Sequence, residues 1–227
     1  DNRQAGLRAE VLSFVPAGPD SVELMQVTLT NTGEQPLTIT PTAAVPIFGR
    51  SADNLRDHRH VTSLLHRVRT MEHGVLACPT LSFDERGHRP NTVTYAVLGA
   101  EGDGAPPASF FPAVEDFIGE GGTLDWPEAV VVSPARIGAT AGMTVDGYEA
   151  MGGLRFREVV LAPGESRSYV LILAIMVNGA GDEAVEALVS RYGSAAHFAG
   201  WLDRTRMHWL AKIAGLRFRS ADARFDS

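Results

Sequence analysis

The stretch Ser21-Val22-Glu23-Leu24-Met25-Gln26-Val27-Thr28-Leu29-Thr30-Asn31-Thr32-Gly33 decides the fold. Val22, Leu24, Gln26, Thr28 and Thr30 alternate with Glu23, Met25, Val27 and Leu29, which is the period of a strand. The Met25-Val27-Leu29 face is the apolar one, while Val22 and Leu24 ask for partial cover on the other. Asn31-Thr32-Gly33 is turn chemistry, because Gly33 takes positive φ without a steric cost. Pro36 to Phe48, rich in Thr and Ile, then returns, and the two segments read as a hairpin of a β-sandwich.

Working outward, Ala9 to Val15 is a strand ahead of this hairpin, and Leu64 to Thr70 with Gly74 to Phe83 form a pair around Glu72-His73-Gly74. Thr92 to Leu98 is a further strand, and Glu101 to Pro107 reads as an exposed loop. Phe110 to Trp126 has no clean period and reads as irregular. Leu154 to Leu161 and Ser168 to Val177 are joined by Ala162-Pro163-Gly164-Glu165 and are expected to be adjacent antiparallel strands. The ending changes character. Asp182 to Tyr192 carries a helical stripe of Ala184, Val185, Ala187, Leu188 and Val189, and Ser194 is an N-cap for a second helix. Phe198, Trp201, Leu202, Thr205 and Trp209 share one face of that helix, a pattern of packing rather than ligand stacking. The chain therefore reads as mainly β: an antiparallel two-sheet β-sandwich over 1–178, then linker helices over 179–227. No repeat or low-complexity tract interrupts it.

Composition narrows the function. The 227 residues are 44% hydrophobic and 21% charged, enough for a core without staples. A net charge of −7 and a pI near 5.5 argue against nucleic acid as a partner. The apolar run Tyr169 to Val177 has strand length, short of the roughly 18 residues of a membrane span. The single cysteine, Cys78, cannot form an intrachain disulfide and suits a reducing, cytoplasmic compartment; in its apolar run it reads as a small core residue. A chain opening on Asp1 reads as a fragment, so its lack of a signal peptide says little.

Two constellations carry chemistry. In Asn54-Leu55-Arg56-Asp57-His58-Arg59-His60, Arg56, Asp57 and His58 could recognise sugar hydroxyls or an anion, or form a structural salt-bridged loop. The histidine spacing here, with His66 and His73 beyond, lacks HExxH or paired-cysteine character, so no metal is expected. Glu115-Asp116-Phe117-Ile118-Gly119, with Trp126-Pro127 after it, places carboxylates beside aromatics, as sugar chemistry requires. Adjacent carboxylates on an extended chain point apart, so support at the edge of a sugar site is the better reading than catalysis. Buried anchoring by Phe117 and Trp126 is the alternative. No nucleophile elbow, phosphate loop or dinucleotide fingerprint occurs.

Taken together, several segments resemble the N-terminal sandwich of glycoside hydrolase family 94: Leu24 to Gly33, Asp116-Phe117-Ile118-Gly119 with Pro127, and Leu161-Ala162-Pro163-Gly164-Glu165-Ser166 before an apolar strand. The stretch from Asn54 to His66 resembles the β-1,2-oligoglucan phosphorylase branch. The resemblance implies an order of sandwich, linker helices, (α/α)6 barrel and jelly roll. It also implies inverting phosphorolysis of β-linked oligosaccharides, with inorganic phosphate as co-substrate and no cofactor. In such a glycosyltransferase the general acid belongs to the barrel, so no catalytic residue is carried over and this chain alone is expected to be inactive. The resemblance further implies a homodimer with sandwich loops near the sugar, which makes Arg56, Asp57, His58, Asp116 and Phe117 substrate-proximal. A free-standing carbohydrate-binding or adhesion module is the alternative, against which the terminal helices speak.

Overall fold

A computed structural model describes residues 4–49, 63–84, 87–132, 138–177, 181–215 and 221. Fourteen strands are present among them: β1 (Leu7–Phe14), β2 (Val22–Asn31), β3 (Leu37–Ile39), β4 (Thr42–Pro46), β5 (His66–Met71), β6 (Gly74–Pro79), β7 (Leu81–Asp84), β8 (Gly87–Pro90), β9 (Thr94–Glu101), β10 (Ser109–Ala113), β11 (Thr144–Asp146), β12 (Ala150–Arg155), β13 (Val159–Leu161) and β14 (Ser166–Met176). Helices α1 (Val114–Ile118) and α2 (Glu128–Val131) are short, whereas α3 (Asp182–Tyr192) and α4 (Ala195–Ala214) close the chain.

Seven strands form one antiparallel sheet in the order β1-β2-β14-β9-β6-β5-β11, and β10-β12-β4 form a second. The two-sheet, mainly β expectation is met. β14 shows why its sequence is an unbroken apolar run: both of its faces are covered. Val170, Ile172 and Ala174 point to the helices, while Tyr169 and Leu171 point to the second sheet, all at 5% exposure or less. On β2 the cover is uneven: Val22 and Leu24 are fully buried in the helix-side core, whereas Met25 and Leu29 pack on the other side half-buried, the reverse of the partial cover their sequence assigned to Val22 and Leu24.

Helix α3 lies against the large sheet through Val185, Leu188 and Tyr192, and α4 adds Phe198. Phe198 meets Phe14 edge-on at 5.1 Å, and Trp201 tilts over Tyr192 at 5.2 Å. The Tyr192 hydroxyl donates to Asp20 at 2.9 Å, so the ring is buried without orphaning its polar end. Ser194 caps α4 by accepting from the His197 N–H at 3.2 Å, as its sequence position implies.

Four expectations are corrected. β2 does not pair with the segment after its turn: β3 pairs with β13, and β4 with β12. Asn31 redirects the chain. Its amide donates to the carbonyls of Gln35 and Leu161 at 2.8 and 2.9 Å, and its side-chain oxygen accepts from the Gly33 N–H. For the same reason β13 and β14 are not neighbours, although Ala162 to Glu165 joins them; the Asn31 carbonyl accepts from Gly164 N–H, locking the two turns together. Phe110 to Trp126 is not irregular throughout, because β10 and α1 fall inside it. Lastly, α4 is packed only along its first half. Residues 206–215 are exposed, Trp209 by 57%, so that ring does not serve the core of this domain.

Candidate functional site

The outer face of the second sheet is covered by α1 and α2. Along β12 the side chains alternate: Ala150 and Leu154 face the large sheet, while Met151 faces outward beneath Phe111, Val114, Phe117 and Ala129. Phe117 is 4% exposed and meets Phe111 edge-to-face at 5.5 Å. Its ring belongs to this core and offers no surface for stacking a sugar. Asp116, the next residue back on α1, is half-buried at the rim of the same cluster, and Glu115 is exposed. Adjacent residues on a helix diverge by about 100°, so these two carboxylates do not face one another across a common space. The structure reaches the outcome expected of an extended chain by a different geometry.

The turn between the two helices carries the aromatic. Trp126 is 65% exposed, held by its backbone N–H donating to the Thr123 carbonyl at 3.3 Å. It is not a buried anchor. Gly119 sits at φ 79° with Glu128 packed on it, so closely that a Cβ there would lie 2.1 Å from the carboxylate. Only glycine permits this crossing of α1 and α2. Beneath the pair, Arg155 is 7% exposed, donates to the Ala129 carbonyl and lies over the Phe111 ring at 4.9 Å. Burial draws its guanidinium below the usual range. The ensemble offers an exposed indole face and carboxylate acceptors on a rigid support, which are the elements of sugar stacking and hydroxyl recognition.

Arg56, Asp57 and His58 lie outside the described residues. Further along the chain, His66 on β5 is only 3% exposed, and neither ring nitrogen makes a hydrogen bond of good geometry. It packs against Gly49, where an added Cβ would come within 2.9 Å of Nε2. Burial lowers its pKa, opposed more weakly by the Tyr148 and Gly49 carbonyls and by Glu149. Sequence reading treated His66 only as a possible metal partner; its burial follows from its place inside a strand of the large sheet. Among the described residues no three His, Cys, Asp or Glu side chains gather as metal ligands.

Sequence reading also missed two recesses. A polar one of about 470 Å³ is lined by Glu101, Arg157, Ser166, Arg167, Ser168 and Tyr169. Two of its lining serines pair with β2 threonines outside it, Ser168 with Thr28 at 3.0 Å and Ser166 with Thr30 at 2.8 Å. The signal was present as small hydroxyl residues alternating on both strands, but the pairing of β2 with β14 was not legible. The second recess is an apolar cleft of about 600 Å³ beside β4.

Comparison with known proteins follows this geometry. The family profile of the glycosyl hydrolase 94 supersandwich domain matches residues 1–195, ending at the first residue of α4. No curated protein sequence matches the chain. Among solved structures, a polysaccharide lyase aligns with a TM-score of 0.44 and 13% identity, over 81% of this chain and 22% of that one. The chain thus spans about a fifth of that relative's length.

Proposed function

The chain belongs to the glycosyl hydrolase 94 supersandwich family, and from that premise we propose that it is the non-catalytic sandwich of a glycoside phosphorylase that acts on β-linked oligosaccharides with inorganic phosphate. The observation that carries the accessory role is the second half of α4. Met207, Trp209, Leu210 and Ile213 are each more than half exposed on a helix whose first half is anchored in the sandwich core. Four large apolar side chains left in water on one short stretch mark a surface made to be covered. In this proposal the cover is the catalytic (α/α)6 barrel, and the helix fixes the sandwich against it. Asp116 and the indole of Trp126, with Arg56, Asp57 and His58, then border the sugar site, and the enzyme is a cytoplasmic homodimer. The chemistry of phosphorolysis stays with the barrel.

The test compares one substitution in two settings. Trp209→Ala in this chain alone should leave the melting temperature unchanged, whereas in the full-length enzyme it should lower it and impair phosphate-dependent release of glucose 1-phosphate. Equal behaviour in both settings would show that α4 holds no catalytic domain.

A further inference from the structure

The large sheet ends on β1, and no strand pairs with its outer side among the described residues. Its register with β2 runs unbroken from Leu7↔Asn31 to Phe14↔Leu24, and the Thr32 N–H continues it by donating to the Gly6 carbonyl at 2.8 Å. Hydrogen-bonded pairs of an antiparallel ladder recur at every second residue. The even-numbered residues of β1 therefore bond to β2, and Leu7, Ala9, Val11 and Ser13 direct their N–H and carbonyl groups outward. Every residue from Arg8 to Ser13 is exposed, Val11 by 59%.

Such an edge is ordinarily guarded by a proline, a bulge or charge. β1 has neither proline nor bulge, and its charges are Arg8 and Glu10 alone. They share one face of the strand and meet at 3.0 Å. Towards a second copy, opposite charges two residues apart do not guard; they match. An axis of two-fold pairing placed on a residue keeps the outward backbone groups of the two copies face to face, and it can fall on Ala9, Glu10, Val11 or Leu12 with most of the strand paired. On Glu10 it sets that carboxylate against its own copy. On Val11 or Leu12 it sets Glu10 against Leu12 or Phe14. On Ala9 it sets Arg8 against Glu10 twice, as non-hydrogen-bonded pairs, whose Cα atoms come within about 4.5 Å. The same axis lays Leu7 against Val11 twice. Opposite charges and apolar pairs directly across a ladder stabilise it, and like charges destabilise it.

We propose that β1 of two copies of this chain pair antiparallel about a two-fold axis through Ala9, so that the large sheet runs on from one copy into the other. The interface is isologous. Arg8 of each copy meets Glu10 of the other, Leu7 meets Val11, and the outward backbone groups of Leu7, Ala9 and Val11 find partners. The homodimer proposed above thereby gains a surface. The paired segment is short, so the association of this chain alone is weak, at the low end of specific interfaces.

The test uses this chain alone, so its outcome is separate from that of Trp209→Ala in the full-length enzyme. Sedimentation equilibrium over a concentration series should show a reversible dimer. Arg8→Glu, and separately Glu10→Arg, set like charges opposite each other at both places and should weaken the dimer about tenfold. The two substitutions combined are complementary again and should restore it. Both positions are exposed, so the melting temperature of the dilute chain should stay unchanged in all three variants. In a Cys78→Ser background, Ala9→Cys should oxidise to a disulfide-linked dimer, because hydrogen-bonded partners stand about 5.5 Å apart across the axis. Val11→Cys in the same background should not. A chain that stays monomeric throughout the series would overturn the proposal. So would a dimer indifferent to both charge substitutions, or crosslinking through Val11→Cys in place of Ala9→Cys.

Discussion

Gly152→Ala should be among the most damaging single-methyl additions to this domain. A Cβ at residue 152 would stand 2.3 Å from the Val97 Cβ and 2.5 and 2.6 Å from its two methyl carbons. Non-bonded carbons settle at about 3.5–4.0 Å, so the sheets must part by more than an ångström at their point of nearest approach. Val97 has no rotamer that helps, because the worst contact is with its Cβ, which moves only with the backbone. The neighbouring position makes a useful control. At Gly99 the intruded atom is the Leu154 Cδ1 at 2.6 Å, the end of a side chain that can swing aside. Overpacking costs about 1–3 kcal/mol and occasionally more; Gly152→Ala belongs at the top of that range and Gly99→Ala below it. Urea denaturation gives the comparison directly, with a thermal shift of about 2–4 °C expected per kcal/mol in a domain of this size. Val97→Gly in the same chain should recover part of the loss, since it removes the opposing Cβ, and the cycle should show favourable coupling. A Gly152→Ala variant within about 0.5 kcal/mol of the parent, or full additivity with Val97→Gly, would refute the close contact of β12 and β9.

Asn31→Ala should cost about 1–3 kcal/mol, because it strands the buried Leu161 carbonyl and unlocks two turns at once; chemical denaturation reads it. His66 has a pKa lowered by burial, so the unfolded chain takes up its proton first. Stability from this group is complete above the ordinary histidine value of 6.5 and is lost as pH falls below it; His66→Asn should flatten the acid limb of a stability–pH profile. The Tyr192 hydroxyl is pushed up to about 12, first by burial and then by Asp20. Its contribution is whole below pH 10 and falls as pH rises from there towards 12, a slope that Tyr192→Phe should reduce. In the full-length enzyme, Asp116→Asn should raise KM for the oligosaccharide with little change in melting temperature; unchanged kinetics would remove Asp116 from the sugar site.

What could be read in advance followed from periodicity. Tyr169 to Val177 and Asp182 to Tyr192 lie where their sequences place them, because a strand or helix with apolar side chains at its own period has few places to put them. In Val22 to Thr30 the period is right but the weight is reversed: Val22 and Leu24 are fully buried under the helices, and the Met25-Val27-Leu29 face is the half-covered one. Pairing was a different matter. Asn31-Thr32-Gly33 is turn chemistry whether it returns a strand on its neighbour or sends it to another sheet, and the choice rests on Asn31 reaching the carbonyl of Leu161, 130 residues away. Trp126 and Phe117 show the same limit at the candidate site. Both are aromatic residues near carboxylates, yet one is exposed and the other closes a core, because α1 starts within a segment with no visible period.

The unequal cover of the large sheet explains why its two faces read so differently in the chain. On the helix side, Leu24, Leu76, Leu98 and Ile172 are almost wholly buried, and α3 and α4 complete the cover with aromatic residues. On the other side the cover thins from β9 towards β1, and the side chains follow: Val97 is buried, Val27 half-buried, Val11 mostly exposed. Solvent facing this side of β2 would favour polar residues at every second position, as it does on one-sided antiparallel sheets. Met25, Val27 and Leu29 are instead as apolar as their fully covered counterparts on β14. Met25 and Leu29 keep that character because they still pack against the core between the sheets where it thins. The second half of α4 has no such partial cover among the described residues, with Met207, Trp209, Leu210 and Ile213 each more than half exposed.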